Sequence, residues 1–184
     1  MMSGTSVQPS LSVSYPGGGM TQSIFKSLTV LVVDDSAYMR HLLMTLLHAL
    51  GVSDVHVAAE GDEAWELFRR YEPDIVITDA AMLPVDGFSF AERLRNITGG
   101  GLGMVPIIMV SGHTDLASIE RARDVGITEF LSKPISARSL YQRLIQVIDR
   151  PRQFVETPTY RGPDRRRRNQ PYDGVDRRGS VALL

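Results

Sequence analysis

The chain has 184 residues, of which 43% are hydrophobic, and it contains no cysteine. This length predicts one domain with extensions, and the missing cysteine excludes disulfides, zinc–thiolate sites and cysteine nucleophiles. The four histidines lack the spacing of metal ligands, and no apolar run approaches the roughly 20 residues that a membrane helix needs. We therefore expect a cytoplasmic protein.

The net charge of −1 hides an asymmetry along the chain. From Arg150 onwards, nine arginines stand against four acidic residues, which gives +5, and the part before Arg150 carries −6. Residues 1–25 are rich in serine and glycine. We expect a flexible lead over 1–25, an acidic domain over 26–149 and a basic tail over 150–184 that has its own partner.

Short apolar runs alternate with longer amphipathic ones between Leu28 and Ile148. In chain order, the periodicity predicts strand Leu28–Val33, helix Ala37–Leu50, strand Val55–Ala59, helix Glu63–Tyr71, strand Ile75–Thr78, helix Phe88–Ile97, strand Val105–Val110, helix Leu116–Val125, strand Glu129–Leu131 and helix Ser136–Ile148. Nearly continuous apolar strands are typical of a parallel sheet that is covered on both faces. The predicted fold is α/β and doubly wound, with a five-stranded parallel sheet, five helices and disordered tails at both ends.

Polar side chains follow four of the predicted strands. Asp34 and Asp35 follow the first, Asp79 the third, Ser111 the fourth and Lys133 the fifth. In a doubly wound fold, the carboxyl ends of the strands share one crevice, so we expect these residues to converge. Any one of them alone is more often structural, for example as a helix N-cap, but five together indicate a site.

The residue types at this rim indicate chemistry on a phosphoryl group. Three carboxylates in a small space repel one another, and Mg²⁺ with oxygen ligands neutralises them. Lys133 offers a point charge and Ser111 a hydroxyl donor to phosphoryl oxygens. Asp79, between the metal and the amine, is the predicted nucleophile.

These motifs resemble the CheY-like response-regulator receiver family over about Thr29 to Ile148. The motifs that carry the resemblance are the strand Val30-Leu31-Val32-Val33-Asp34-Asp35, Asp79 followed by Met82, Pro84, Asp86 and Gly87, then Ser111-Gly112, Phe130 and Lys133-Pro134. Two features depart from the family pattern, because Leu83 separates Met82 from Pro84 and Phe130 lacks the more common tyrosine hydroxyl.

The resemblance implies a role for each matching residue. Asp79 is the implied phosphoacceptor, and Asp34 and Asp35 bind Mg²⁺ together with Asp79 and the carbonyl of Ala81. Lys133 supplies the amine and Ser111 the hydroxyl, and Phe130 is the aromatic residue that moves inward on activation. The implied partners are a histidine kinase or phosphotransfer protein and an output protein. The chain is then no enzyme beyond its own phosphorylation and dephosphorylation.

The tail contains a short repeat. Tyr-x-Gly-x-Asp-Arg-Arg at 160–166 recurs at 172–178, with an offset of 12 residues. Arginine forks pair with phosphate and with one edge of guanine, aspartate accepts from the other edge, and tyrosine stacks on bases. The candidate ligand-binding residues are Tyr160, Arg161, Asp164, Arg165, Arg166, Arg167, Arg168, Tyr172, Asp176, Arg177 and Arg178.

A guanine-phosphate ligand with two-fold symmetry fits two repeats, and cyclic di-GMP has that symmetry. The segment from about Phe154 to Arg178 also resembles the arginine-rich tail of CheY-like proteins that bind cyclic di-GMP and tune flagellar motors. That resemblance implies output to the flagellar motor or to surface behaviour. The alternatives are a basic tail that binds nucleic acid or an acidic protein, and a passive solvated tail.

Two further classes of function stay open at this point. Phosphatases of the haloacid dehalogenase type also use an aspartate nucleophile with Mg²⁺, but they need a second aspartate where this chain has Ala81. A binding module that is never phosphorylated is disfavoured by the acid pair and Lys133. No segment resembles a DNA-binding output domain, so we expect no DNA binding by such a domain and output through protein contact or the tail. The lack of a long apolar run predicts no membrane span.

Overall fold

Five parallel strands form the central sheet of the computed structural model, which describes residues 24–98, 101–112 and 115–165. The strands are β1 (Thr29–Val33), β2 (Asp54–Ala58), β3 (Ile75–Asp79), β4 (Ile107–Ser111) and β5 (Glu129–Ser132), in the spatial order β2-β1-β3-β4-β5. The helices are α1 (Ala37–Leu50), α2 (Gly61–Tyr71), α3 (Gly87–Arg95), α4 (Leu116–Val125) and α5 (Ala137–Asp149). A helical turn at 24–26 precedes β1. The predicted doubly wound α/β fold is confirmed.

Helices cover both faces of the sheet because successive strand residues point to opposite sides. Val30 and Val32 face one way and pack with Leu43 of α1 and Leu140 of α5. Leu31 and Val33 face the other way and join a second apolar cluster with α2, α3 and α4. Apolar residues on both sides explain why the strands read as continuous apolar runs in the sequence.

Capping residues fix both ends of α1 and the start of α3, the two helices that border the site. Ser36 accepts the backbone N–H of Met39 at the start of α1, and Gly51 ends this helix with φ +103°. Asp86 accepts the N–H of Ser89 at the start of α3. These local signals hold the loops after β1 and β3 in place.

The order of the strands sets the position of the crevice. From β1 the chain passes through α1 to β2 on one side, and then returns through α2 to β3 on the other side of β1. Such a reversal opens a cleft at the carboxyl ends of the two central strands. Asp34 follows β1 and Asp79 ends β3, so both lie at this cleft.

Two polar residues belong to strands that were predicted to end just before them. Asp79 pairs with Val110, and Ser111 pairs with Ser132, in the parallel ladder. Backbone pairing continues through these residues although their side chains are polar. The prediction from apolar side chains therefore ended β3 and β4 one residue early.

The first part of the tail is ordered, which corrects the prediction of disorder from residue 150 onwards. β6 (Phe154–Thr157) and β7 (Tyr160–Pro163) form an antiparallel hairpin. The hairpin packs on the domain, since Gly162 lies against Gly126 and the Arg161 guanidinium donates to the carbonyl of Ile97 at 3.1 Å. These distant contacts stabilise a segment whose composition alone indicates disorder.

Candidate functional site

Three carboxylates converge at the cleft. Asp34 is fully buried, Asp79 is 5% exposed, and Asp35 faces solvent. One carboxylate oxygen from each of the three lies within 4.8 Å of the others. The structure thus brings together the three acids that the sequence analysis singled out. At this separation their mutual repulsion needs a neutralising charge.

Lys133 supplies part of that charge. Its ammonium nitrogen lies 2.8 Å from Oδ1 of Asp79 and 3.6 Å from Oδ2 of Asp34. Burial by itself lowers the pKa of Lys133, but the hydrogen bond and charge of Asp79, helped by Asp34, outweigh burial and raise that pKa above its usual value. The amine is therefore firmly cationic and positioned against Asp79.

Asp34 carries an unsatisfied oxygen. Its Oδ1 accepts the backbone N–H of Ser36 at 2.9 Å, whereas its Oδ2 is buried and accepts no hydrogen bond from the described residues. Burial raises the pKa of Asp34, and the charges of Asp79 and Asp35 act in the same direction against Ser36 and Lys133. A buried anionic oxygen with no hydrogen-bond donor, beside two further carboxylates, fits a hard divalent cation such as Mg²⁺.

Backbone groups complete the surroundings of Asp79. The N–H of Ala81 donates to Oδ2 of Asp79 at 3.2 Å, and Ala81 itself is exposed at the rim. Ser111 is buried at the end of β4, and its carbonyl accepts the N–H of Lys133 at 2.9 Å. The hydroxyl predicted for the site therefore ends β4, and the predicted amine follows β5, the strand that pairs with it.

Gly87 allows the chain to pass close to the nucleophile. A Cβ at this position would lie 1.9 Å from the carbonyl oxygen of Asp79, so any side chain would collide with backbone. Its neighbour Asp86 caps α3 and forms an ion pair of 3.2 Å with Arg121 of α4. Burial alone would raise the pKa of Asp86, but hydrogen bonds from Ser89 and the charge of Arg121 outweigh burial and lower that pKa.

Phe130 lies outside the carboxylate cluster. It is half-buried on β5 and lines a groove of about 450 Å³ between α4, β5 and α5. The structure thus places the predicted switch aromatic on a separate face of the molecule.

The tail residues fall into two groups. Tyr160, Arg161, Asp164 and Arg165 lie in or beside the hairpin, where the Arg165 guanidinium stands 4.1 Å from the centre of the Tyr160 ring. The Arg161 Nε lies 3.1 Å from a Glu156 carboxylate oxygen. The other predicted ligand residues lie outside the described residues: Arg166, Arg167, Arg168, Tyr172, Asp176, Arg177 and Arg178.

The sequence analysis missed a buried arginine. Arg95 is 3% exposed, and it donates to the carbonyls of Gly126, Gly103 and Val105. The Phe154 ring of the hairpin lies 5.7 Å from its guanidinium, and burial lowers its pKa to about 10. An arginine in the last turn of a helix reads as an ordinary exposed residue, so no local signal reveals this role.

The family model for the response regulator receiver domain matches residues 30–145. The chain belongs to this family. It is 31% identical to chemotaxis protein CheY1 of Helicobacter pylori, with 66% of this chain and 97% of CheY1 covered. It is 30% identical to the solved structure of CheY4 of Vibrio cholerae, which superposes with a TM-score of 0.61 over 66% of this chain and 98% of CheY4.

Longer proteins also contain this receiver domain. The chain is 34% identical to the probable transcriptional regulator ycf27 of Porphyridium aerugineum over 66% of its own length and 48% of the relative. The chain therefore spans about half the length of the ycf27 relatives that it matches. No helix in the described part of the receiver chain is both long and apolar enough to cross a membrane.

Receiver domains take part in two-component signalling with histidine kinases and downstream targets, and they bind Mg²⁺ through acidic residues. In this chain, Asp34, Asp35 and Asp79 are the acidic group that fits such an ion.

Proposed function

We propose that this receiver accepts a phosphoryl group on Asp79 from a histidine kinase or phosphotransfer protein. The observation that carries the proposal is the 2.8 Å contact between the Lys133 ammonium and Asp79, inside a cluster of three carboxylates. Asp34, Asp35, Asp79 and the carbonyl of Ala81 would hold Mg²⁺. When bound, this ion supplies positive charge to the phosphoryl oxygens.

The reaction is a transfer between two side chains. A carboxylate oxygen of Asp79 attacks phosphorus, and the phosphorus–nitrogen bond of a donor phosphohistidine that is protonated on its other ring nitrogen breaks. The histidine leaves as a neutral imidazole that keeps this proton. The product is an acyl phosphate on Asp79. Lys133 stabilises charge on a phosphoryl oxygen, and the Ser111 hydroxyl donates to another.

Output follows from a shift between two arrangements of Ser111, Phe130 and the surface around them. The Ser111 hydroxyl turns toward the phosphoryl group, and Phe130 moves inward from the groove. Both residues belong to the two strands at the β5 edge of the sheet, so one event at Asp79 changes the surface that includes α4 and β5. That surface contacts the output protein.

Mass spectrometry tests the phosphoacceptor. The full chain is incubated with Mg²⁺ and a small phosphodonor such as phosphoramidate, and we expect one added phosphoryl group, which is absent in Asp79→Asn. A matched control is Asp62→Asn, because Asp62 is an exposed carboxylate on α2. Equal labelling of Asp79→Asn and wild type would exclude Asp79 as the acceptor.

We further propose that the tail binds cyclic di-GMP and directs output to the flagellar motor or to surface behaviour. The support is the duplicated Tyr-x-Gly-x-Asp-Arg-Arg motif, together with the position of the Arg165 guanidinium over the Tyr160 ring in its first copy. Arginine and tyrosine side chains both have planar groups on which a base stacks.

Calorimetric titration of cyclic di-GMP tests the tail. The full chain is compared with a chain that ends at Arg165, which keeps the hairpin, and with Arg166→Ala. We expect saturable binding by the full chain and weaker binding by both variants. Without such binding, the alternative is a phosphorylation-only receiver with a basic tail for nucleic acid or an acidic protein, and a steep loss of binding with added salt would identify a nucleic-acid contact.

A further inference from the structure

A groove of about 450 Å³ lies between α4, β5, α5 and the tail hairpin. Four arginines line it: Arg123 from α4, Arg143 from α5, Arg152 from the segment after α5, and Arg165 after β7. The groove is separate from the carboxylate site. Half of its basic lining comes from the receiver domain and half from the tail.

The charge of this groove is opposite to that of its domain. Four arginines stand against one acidic lining residue, Glu129, which leaves a net charge of +3, whereas the chain before Arg150 carries −6. Solvated arginines are common on protein surfaces. Their concentration in one concave region of an acidic domain favours an anionic occupant.

The contacts of the four arginines leave positive charge in excess. Arg143 lies 3.1 Å from Glu129, and Asp124 faces both Arg165, at 3.4 Å, and Arg123, at 3.8 Å. Within the described residues, Arg152 donates to the carbonyls of Thr128 and Asp164, and its Nε is buried with no hydrogen-bond partner. Within the described residues, these ion pairs set two carboxylates against three of the four guanidinium groups.

The other walls of the groove define the shape of the occupant. Ile119, Phe130 and Leu131 contribute an apolar side. The volume lies in the range of about 300–1,000 Å³ that is typical of small-molecule sites. Guanidinium groups pair with phosphate, and an aromatic ring stacks on a base. A phosphate-bearing nucleotide satisfies both sides of this groove.

We propose that the groove is the receiver half of a composite nucleotide site, in which Arg123 and Arg143 share with Arg165 the phosphates of the nucleotide that the tail binds. This inference rests on the proposed function of the tail. It extends that function, because the tail then does not bind its ligand alone. The ligand would join the basic segment to the face formed by α4, β5 and α5.

Phe130 gives this site a link to phosphorylation. The ring lines the groove in the present structure, and inward movement on activation would withdraw it from a bound base. Loss of one stacked base weakens binding by about 5- to 150-fold. Coupling of this kind is reciprocal, so the nucleotide would in turn disfavour the inward position of Phe130.

Calorimetric titration of cyclic di-GMP into the full chain tests the composite site. The main variant is Arg123→Glu, because the Arg123 side chain is 52% exposed and, within the described residues, its only ion pair is with its neighbour Asp124. The matched control is Arg69→Glu, an exposed position on α2, which packs on β1 and β2 at the other edge of the sheet. We expect Arg123→Glu to weaken binding about 10-fold or more, as the loss of a charge-assisted hydrogen bond does, and Arg69→Glu to leave it unchanged.

A second variant distinguishes a loss of binding from a folding defect. Arg123→Gln removes the charge with little change in size, and it should lie between wild type and Arg123→Glu, with thermal unfolding of all variants measured alongside. Wild-type affinity in both Arg123 variants would overturn the composite site but leave a tail that binds alone. No binding by wild type would overturn the proposed tail function and the composite site together.

Discussion

The Lys133 ammonium lies 2.8 Å from Oδ1 of Asp79, which ends β3, and Lys133 directly follows β5 on the far side of β4. The backbone also positions Lys133, because its N–H donates to the carbonyl of Ser111 at the end of β4. The amine is thus in place before any phosphoryl group arrives. Preorganised charge of this kind lowers the barrier without reorganisation during the reaction.

Replacement of Lys133 by methionine should slow phosphorylation of Asp79 by about 100-fold, because a fixed charge at a developing anion is worth about that factor. The rate is measured by mass spectrometry with a small phosphodonor and Mg²⁺. Lys133→Arg keeps the charge in a larger group and should retain more of the rate. Equal rates for wild type and Lys133→Met would rule out this role of the amine.

Mg²⁺ should stabilise the folded protein through Asp34. At 100 times its dissociation constant, a ligand that binds only the folded state adds about 2.7 kcal/mol to the free energy of unfolding. Thermal unfolding with Mg²⁺ and with a chelator measures this difference, and Asp34→Asn should abolish most of it. In the chelator, Asp34→Asn should unfold at a higher temperature than wild type, because it removes a buried charge that its surroundings disfavour.

If Mg²⁺ raised the unfolding temperature of Asp34→Asn as much as that of wild type, relative to the chelator, Asp34 would not be a ligand of the ion. Asp74→Asn is a matched control with an exposed carboxylate at the opposite end of β3 from Asp79.

Asp86→Ala should lower the free energy of unfolding by about 1 kcal/mol at neutral pH, the usual cost of losing an N-cap. The pKa of Asp86 is lowered in the folded protein. Its contribution is therefore present above the unfolded pKa of about 3.9 and is lost as the pH falls through the lower folded value. Denaturant unfolding across pH measures the difference, and a gap between the two proteins that does not narrow as the pH falls below about 3.9 would show that the carboxylate charge is not its cause.

Gly162→Val should detach the tail hairpin. A Cβ at Gly162 would lie 2.6 Å from the Tyr160 hydroxyl and 2.7 Å from Cα of Gly126. Overpacking of this kind costs about 1–3 kcal/mol. Hydrogen exchange at 154–163 should become faster while exchange in the central sheet is retained.

Thr159→Val is the matched control for the hairpin, because Thr159 is exposed in its turn. Unchanged exchange in Gly162→Val would show that the hairpin does not depend on the close contact between Gly162 and Gly126.

The central sheet and the carboxylate cluster could be predicted because they follow from local patterns. Apolar runs define the strands, and a parallel sheet brings the residues after each strand to one edge. The prediction that Asp34, Asp79 and Lys133 form a site therefore required no knowledge of contacts between distant residues. The direction of each side chain was beyond this reasoning, and so was the unsatisfied oxygen of Asp34.

The hairpin could not be predicted for a physical reason. Its strands have four residues each, and an isolated hairpin of this size is marginal in water. Its stability depends on Gly126, on the buried Arg95 and on the carbonyl of Ile97, all of which lie far away in the sequence. The groove is hidden for the same reason, since its arginines come from separate segments.

The hairpin also determines where the rest of the chain starts. Arg165 follows β7 and lies at the rim of the groove, so the rest of the chain is attached beside Arg123 and Arg143. A binding site on that segment would meet the groove as an intramolecular partner, at effective concentrations in the millimolar range. Even weak contacts between a ligand on the tail and the receiver would then be largely formed. Release of the hairpin would lower this effective concentration. It would thereby uncouple the tail from the groove although the residues of both stay the same.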